Sequence, residues 1–134
     1  MAEPDKGAPR VLVVDDEQSI RVFAARALSE TGCDVAVAAD GPDALTIVDE
    51  RGPFDLYLID LLLPRMRGDE LARRLRQADP NVKILYFTGY SDRLFDAKKT
   101  LWENEAFIEK PVSVKGLIEA VSLSLFGHTR GLET

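Results

Sequence analysis

Hydrophobic residues recur along this chain in two alternating rhythms: short unbroken runs, and longer stretches with a helical period. Arg10 to Val14 is an apolar run ending at Asp15-Asp16, which reads as a buried strand. Ile20, Phe23, Ala24, Ala27 and Leu28 then share one helical face, with Gly32 as the stop. Val35 and Val37 mark a second strand. Asp40-Gly41-Pro42 turns the chain into a second helix with an apolar face of Ala44, Leu45, Ile47 and Val48. A proline near the first helical position sacrifices an N–H that has no helical partner anyway. Phe54 to Ile59 is a third strand, almost wholly apolar, ending at Asp60; such a run suits a central strand covered on both faces. Leu71 and Leu75 anchor a third helix, closed by Asp79-Pro80. Lys83 to Phe87 is a fourth strand, running into Thr88-Gly89. Leu94, Ala97 and Leu101 mark a fourth helix, flanked by Phe95 and Trp102. Ala106 to Glu109 is a short fifth strand before Lys110-Pro111, and Leu117, Ile118, Val121 and Leu125 give the last helix its apolar face.

Five strands alternating with five helices predict an α/β fold, a doubly wound five-stranded parallel sheet. Residues 1–9 and Gly127 to Thr134 read as loose tails around one domain at 10–126, with no internal repeat. Composition fits that picture: 134 residues suffice for one core, and 46% apolar with 30% charged residues is ordinary for a globular domain. The balance of 17 Lys plus Arg against 23 Asp plus Glu gives a net charge of -6, which argues against direct nucleic-acid binding. It leaves room for protein partners and for a divalent cation. The lone Cys33 cannot form an internal disulfide and reads as a small apolar filler near a strand start. Met1 to Pro9 is polar, unlike a signal peptide, and no stretch approaches the length of a membrane span, so the expected location is cytoplasmic.

The polar residues become informative once they are placed on this frame. Asp15, Asp16, Asp60, Thr88 and Lys110 all fall at or just past the carboxyl end of a predicted strand. In an open parallel sheet those ends share one edge, and ligands bind there. Any one of these residues alone reads equally well as a helix cap or a solvated surface group. Together they predict an acidic notch whose mutual repulsion a hard cation such as Mg²⁺ relieves, leaving room for phosphate oxygens. Asp60, ending the most hydrophobic strand, is the candidate phosphoryl acceptor. Lys110 supplies a mobile positive charge, and Thr88 a hydroxyl donor.

These residues resemble the receiver domain of two-component response regulators, the chemotaxis Y-type fold. Val14-Asp15-Asp16-Glu17 is similar to the family's acidic pair after the first strand. Asp60 followed by Leu63-Pro64, Met66 and Gly68 is similar to its acceptor segment, Thr88-Gly89 to its hydroxyl switch, and Lys110-Pro111 to its phosphoryl-contacting lysine before a cis proline. The match runs from about Arg10 to Leu125. The resemblance implies a flavodoxin-like (βα)5 sheet in the order 2-1-3-4-5. It implies metal ligation by Asp15, Asp60 and the backbone carbonyl of Leu62, with Asp16 binding directly or through water. The cofactor would be Mg²⁺, with Mn²⁺ as a substitute. The phosphodonor would be a phosphohistidine on a sensor histidine kinase or phosphotransfer protein. The domain would act as a switch with slow self-hydrolysis, not as a turnover enzyme. Phe107, three residues before Lys110, would swing inward as Thr88 is drawn to the phosphoryl group. A downstream protein would dock on the fourth predicted helix, fifth strand and last helix, roughly Asp92 to Leu125.

Departures from the family pattern carry their own expectations. Leu62 is apolar and Tyr90 aromatic at two positions that flank the path of the attacking water, so both are expected to lengthen the life of the acyl phosphate. Trp102 precedes a segment lacking the family's Gly-Ala step, and reads equally as an exposed partner anchor or a core residue. Ala120 stands where winged-helix relatives carry a dimer-forming arginine; this weakens that dimer mode while leaving a phosphorylation-dependent homodimer open. A stand-alone receiver, the receiver of a larger regulator or hybrid kinase, and a non-phosphorylated interaction module all fit. A Gly-rich nucleotide-binding loop is absent after the first strand, and position 62 lacks the second aspartate of an aspartyl phosphatase.

Overall fold

The computed structural model describes residues 7–89 and 105–127. Within them lie five strands and four helices, in the order β1 (Arg10–Val14), α1 (Gln18–Ser29), β2 (Asp34–Ala38), α2 (Gly41–Arg51), β3 (Leu56–Ile59), α3 (Gly68–Ala78), β4 (Ile84–Thr88), β5 (Glu105–Glu109) and α4 (Val114–Phe126). The helix expected around Leu94, Ala97 and Leu101, with Phe95 and Trp102, lies outside the described residues, as does Tyr90. All strand pairs are parallel, in the order β2-β1-β3-β4-β5, as the resemblance implied.

The period-two alternation of side chains divides the core between the two faces. Leu12, Val14, Tyr57, Ile59, Ile84 and Tyr86 point one way and pack under Ala44 of α2 and Leu71, Ala72 and Leu75 of α3. Val11, Val13, Leu56, Leu58, Leu85 and Phe87 point the other way, under Ala24, Ala27 and Leu28 of α1 and Leu117, Val121 and Leu125 of α4. Both faces are covered, which is why β1 and β3 are continuous apolar runs. Cys33 is buried in the second cluster.

β4 runs Ile84–Thr88, one residue later than expected, and two other strand starts differ from expectation for reasons visible in side chains. β3 begins at Leu56, not Phe54, because the Phe54 N–H donates to the Tyr57 hydroxyl (3.0 Å) and leaves the ladder. β5 begins at Glu105, one residue early. The Glu105 carboxylate is buried, forms an ion pair with Arg76 of α3 and accepts from the Tyr86 hydroxyl (3.5 Å). A charge that can enter the edge of the sheet only with partners there is invisible to a periodicity argument. The caps follow local chemistry: Asp40 accepts from the Asp43 N–H (2.8 Å) and Ser113 from the Gly116 N–H (2.9 Å). No helix among the described residues is long and apolar enough to cross a membrane.

Candidate functional site

Backbone pairing brings the acidic residues to one edge. The Asp15 N–H donates to the Ala38 carbonyl (3.1 Å) and the Asp60 N–H to the Val14 carbonyl (2.9 Å). Each aspartate is therefore the first residue past its strand, still tied to the neighbouring one. Asp15 is 1% exposed and Asp60 7%. Lys110 arrives from the other side, at the end of β5, where its peptide bond to Pro111 is cis. Its Nζ lies 2.8 Å from Asp15 Oδ2, 3.4 Å from Asp60 Oδ2 and 3.5 Å from Glu17 Oε1. One ammonium thus spans residues separated by 95 and 50 positions in sequence.

The remaining contacts hold the carboxylates still. Asp15 Oδ1 accepts from the Glu17 N–H (2.9 Å), and Arg21 of α1 donates to the Asp15 carbonyl (2.7 Å). Asp60 Oδ1 accepts from the Leu62 N–H (3.2 Å), leaving Oδ2 toward the lysine. The shallow notch is lined by Asp16, Glu17, Asp60, Leu62, Gly89 and Lys110. Thr88 closes β4 beside this edge, in register with Glu109 of β5. Phe107 pairs with Tyr86 and packs, partly buried, against the core under α2 and α3.

Gly68 explains the shape of the segment after Asp60. A Cβ there would stand 2.3 Å from the Asp60 carbonyl oxygen and 2.9 Å from the Leu61 Cα, so only glycine fits. Its N–H donates to the Leu61 carbonyl (2.8 Å), closing the loop that carries Leu62, Leu63 and Pro64.

Burial sets the electrostatics. It pushes the Asp60 carboxyl above its usual range, with the Asp15 charge adding to the rise and Lys110 opposing it. Burial likewise raises Asp15 against the hydrogen bonds from Lys110 and Glu17. For Lys110 burial acts downward, but the Asp15 hydrogen bond and the charges of Asp60, Asp15 and Glu17 outweigh it and leave the amine above its usual value. One carboxylate oxygen from each of Asp15, Asp16 and Asp60 lies within 4.8 Å of the others. Hard oxygens in excess of positive charge, with one side open, are the donor set of Mg²⁺, which keeps several waters; Mn²⁺ accepts the same set.

A family model described as "Response regulator receiver domain" matches residues 11–122. The chain belongs to this receiver-domain family. The receiver is 30% identical to the response regulator receiver protein CpdR of Brucella abortus, covering 87% of this chain and 96% of that protein. It is 35% identical to the sensor kinase CckA of the same organism over 86% of this chain but only 12% of the kinase. Among solved structures, the response regulator TrrA of Thermotoga maritima, in complex with Mg²⁺ and BeF, superposes with a TM-score of 0.76. It is 31% identical, covering 87% of this chain and 99% of that one. Receiver domains are signalling switches that bind Mg²⁺ in an acidic pocket, and Asp15, Asp16 and Asp60 form an acidic cluster consistent with that in this receiver.

Two contacts escaped the sequence reading. Lys110 is closer to Asp15 than to Asp60, and Glu17 also faces it. The run of three acids, Asp15-Asp16-Glu17, was the available signal. Gly68 was signalled by the acceptor-segment resemblance but its packing reason was not, and Arg21 had no signal, because both act on backbone atoms whose positions only the folded chain fixes.

Proposed function

We propose that this receiver accepts one phosphoryl group on Asp60, in the presence of Mg²⁺, from a phosphohistidine of a sensor histidine kinase or phosphotransfer protein. The observation that carries this is the convergence of Lys110 Nζ on the carboxylates of Asp15 and Asp60, with Asp16 beside them. An Asp60 carboxylate oxygen attacks phosphorus in line with the leaving imidazole nitrogen. The new P–O bond forms as the P–N bond breaks, and the electron pair returns to the imidazole, which takes up a proton. Asp15, Asp60 and the Leu62 carbonyl, with Asp16 direct or through water, would hold Mg²⁺, which when bound would supply neutralising charge to the phosphoryl oxygens. Lys110 exchanges its Asp60 contact for a phosphoryl oxygen while keeping Asp15. The Thr88 hydroxyl donates to another oxygen, and Phe107 follows it inward as the switch. Gly89 and Pro111 give the two loops their paths beside the notch. Hydrolysis of the acyl phosphate resets the domain, slowed by Leu62 and Tyr90.

The domain at 10–126 acts in the cytoplasm, and the β5–α4 face with the segment before it receives the downstream protein. The likeness to CpdR and to the receiver part of CckA supports a phosphorelay setting. Phosphorylation with acetyl phosphate and Mg²⁺ is followed by intact mass. One added phosphoryl group on the wild type and none on Asp60→Asn is expected. An unmodified wild type would make this an interaction module instead.

A further inference from the structure

The loop after the acceptor is fastened to the start of α2. Asp40, 5% exposed, is the N-cap of α2, and its two carboxylate oxygens have separate tasks. Oδ1 accepts from the Asp43 N–H (2.8 Å), and Oδ2 forms an ion pair with the Arg65 guanidinium. Arg65 sits in the loop between β3 and α3 with φ of 67°, a left-handed conformation that a non-glycine residue adopts only when its surroundings hold it there. Its side chain is 70% exposed while that of Asp40 is 8% exposed, so the guanidinium lies as a lid over a buried carboxylate. The next residue makes the same junction: Met66 packs so closely on Gly41 that a Cβ there would lie 2.8 Å from its sulfur. Two consecutive loop residues are thus clamped to the first turn of α2, and the loop closes on itself through Gly68 and Leu61.

From this geometry we infer that the Asp40–Arg65 pair is a positioning clamp that holds the Leu62 backbone facing the notch and so sets cation affinity. Arg65 is not among the residues that line the notch. It acts through the path of the loop: Leu62 stands between the fixed Asp60 and the clamped Arg65, and its N–H already meets Asp60 Oδ1. The inference rests on the proposed role of the Leu62 carbonyl as a ligand.

The sign of the effect separates positioning from simple electrostatics. Arg65 is a positive charge on the loop that borders a cation site, and its removal by charge alone tightens Mg²⁺ binding. Removal of a clamp loosens it. Mg²⁺ titration calorimetry on folded wild type, Arg65→Met and Arg65→Lys, checked by circular dichroism, decides between them. We expect at least fivefold weaker Mg²⁺ binding for Arg65→Met, less than a twofold change for Arg65→Lys, and Asp40→Asn with Arg65→Met no worse than either alone. The phosphorylation rate of Arg65→Met falls at limiting Mg²⁺ and recovers at saturating Mg²⁺. Unchanged or tighter binding by Arg65→Met, or additive loss in the double variant, overturns the clamp. A wild type that binds Mg²⁺ but takes no phosphoryl group overturns the proposed function and leaves the clamp standing.

Discussion

Replacing the acceptor itself should stabilise the cation-free protein. Asp60→Asn in chelating buffer removes a charge that is 7% exposed while keeping a side-chain oxygen for the Leu62 N–H. The Coulomb contributions nearly cancel. At an effective dielectric of about 20, the Asp15 and Asp16 oxygens, taken at the 4.8 Å limit, each repel Asp60 by roughly 3.5 kcal/mol. The exposed Asp16 is screened to about half of that. Against this, Lys110 at 3.4 Å attracts by roughly 5 kcal/mol. What remains is desolvation, the largest cause of the raised Asp60 carboxyl. For a partly buried carboxylate that leaves about 1–2 kcal/mol in favour of the neutral side chain. In a chain of this length the gain corresponds to a melting-temperature rise of roughly 5 °C, read by calorimetry or circular dichroism. The pH dependence follows from the same shift. Because Asp15 and Asp60 titrate above their ordinary 3.8 in the folded state, the folded protein holds more protons than the unfolded one between 3.8 and those raised values. Their contribution to stability therefore falls as pH rises through that window, and Asp60→Asn shows a shallower fall. With Mg²⁺ bound as proposed, the order should reverse, because wild type would bind it more strongly and gain more. A variant that melts below wild type without cation would refute the reasoning.

Three further outcomes follow from single contacts. Gly68→Ala forces a Cβ to within 2.3 Å of the Asp60 carbonyl oxygen, and should cost about 3 kcal/mol in urea unfolding while slowing phosphorylation, because the displaced backbone carries the acceptor. Asp40 is held below the usual carboxylate range first by the Asp43 N–H and then by Arg65, so its stabilisation is present above about pH 4 and lost as pH falls through the lowered value. Asp40→Asn keeps the cap and loses the pair. It should be less stable by about 1 kcal/mol at pH 7, a discounted figure because Arg65 is exposed, with the gap closing in acid. Leu62→Asn and Tyr90→Glu should each shorten the acyl-phosphate lifetime several-fold in a dephosphorylation time course, and equal or slower loss would end the shielding idea.

The frame of this domain was legible because its strands are buried on both faces. Val11 to Val14 and Leu56 to Ile59 need no alternation to be recognised, and the helices between them carry clean stripes such as Ala24, Ala27 and Leu28. Strand ends were harder where a side chain, not a pattern, sets the boundary. Tyr57 takes the Phe54 N–H out of the ladder, and Arg76 with Tyr86 lets Glu105 into it. The candidate site was half legible. Asp15, Asp60 and Lys110 declared themselves by falling after strands, but their mutual distances did not.

By itself the amino-acid order determined which segments become strands, that their carboxyl ends bear acids, a hydroxyl and a lysine, and hence that a charged edge must form. Those are consequences of local period and of parallel pairing, which a linear pattern encodes. Only the tertiary structure decided that Lys110 lies nearer Asp15 than Asp60, that Glu17 joins it, and that Arg65 and Met66 fasten the acceptor loop to Asp40 and Gly41. Such contacts depend on ångström differences between elements packed from distant parts of the chain, and Coulomb and steric energies change steeply over that range.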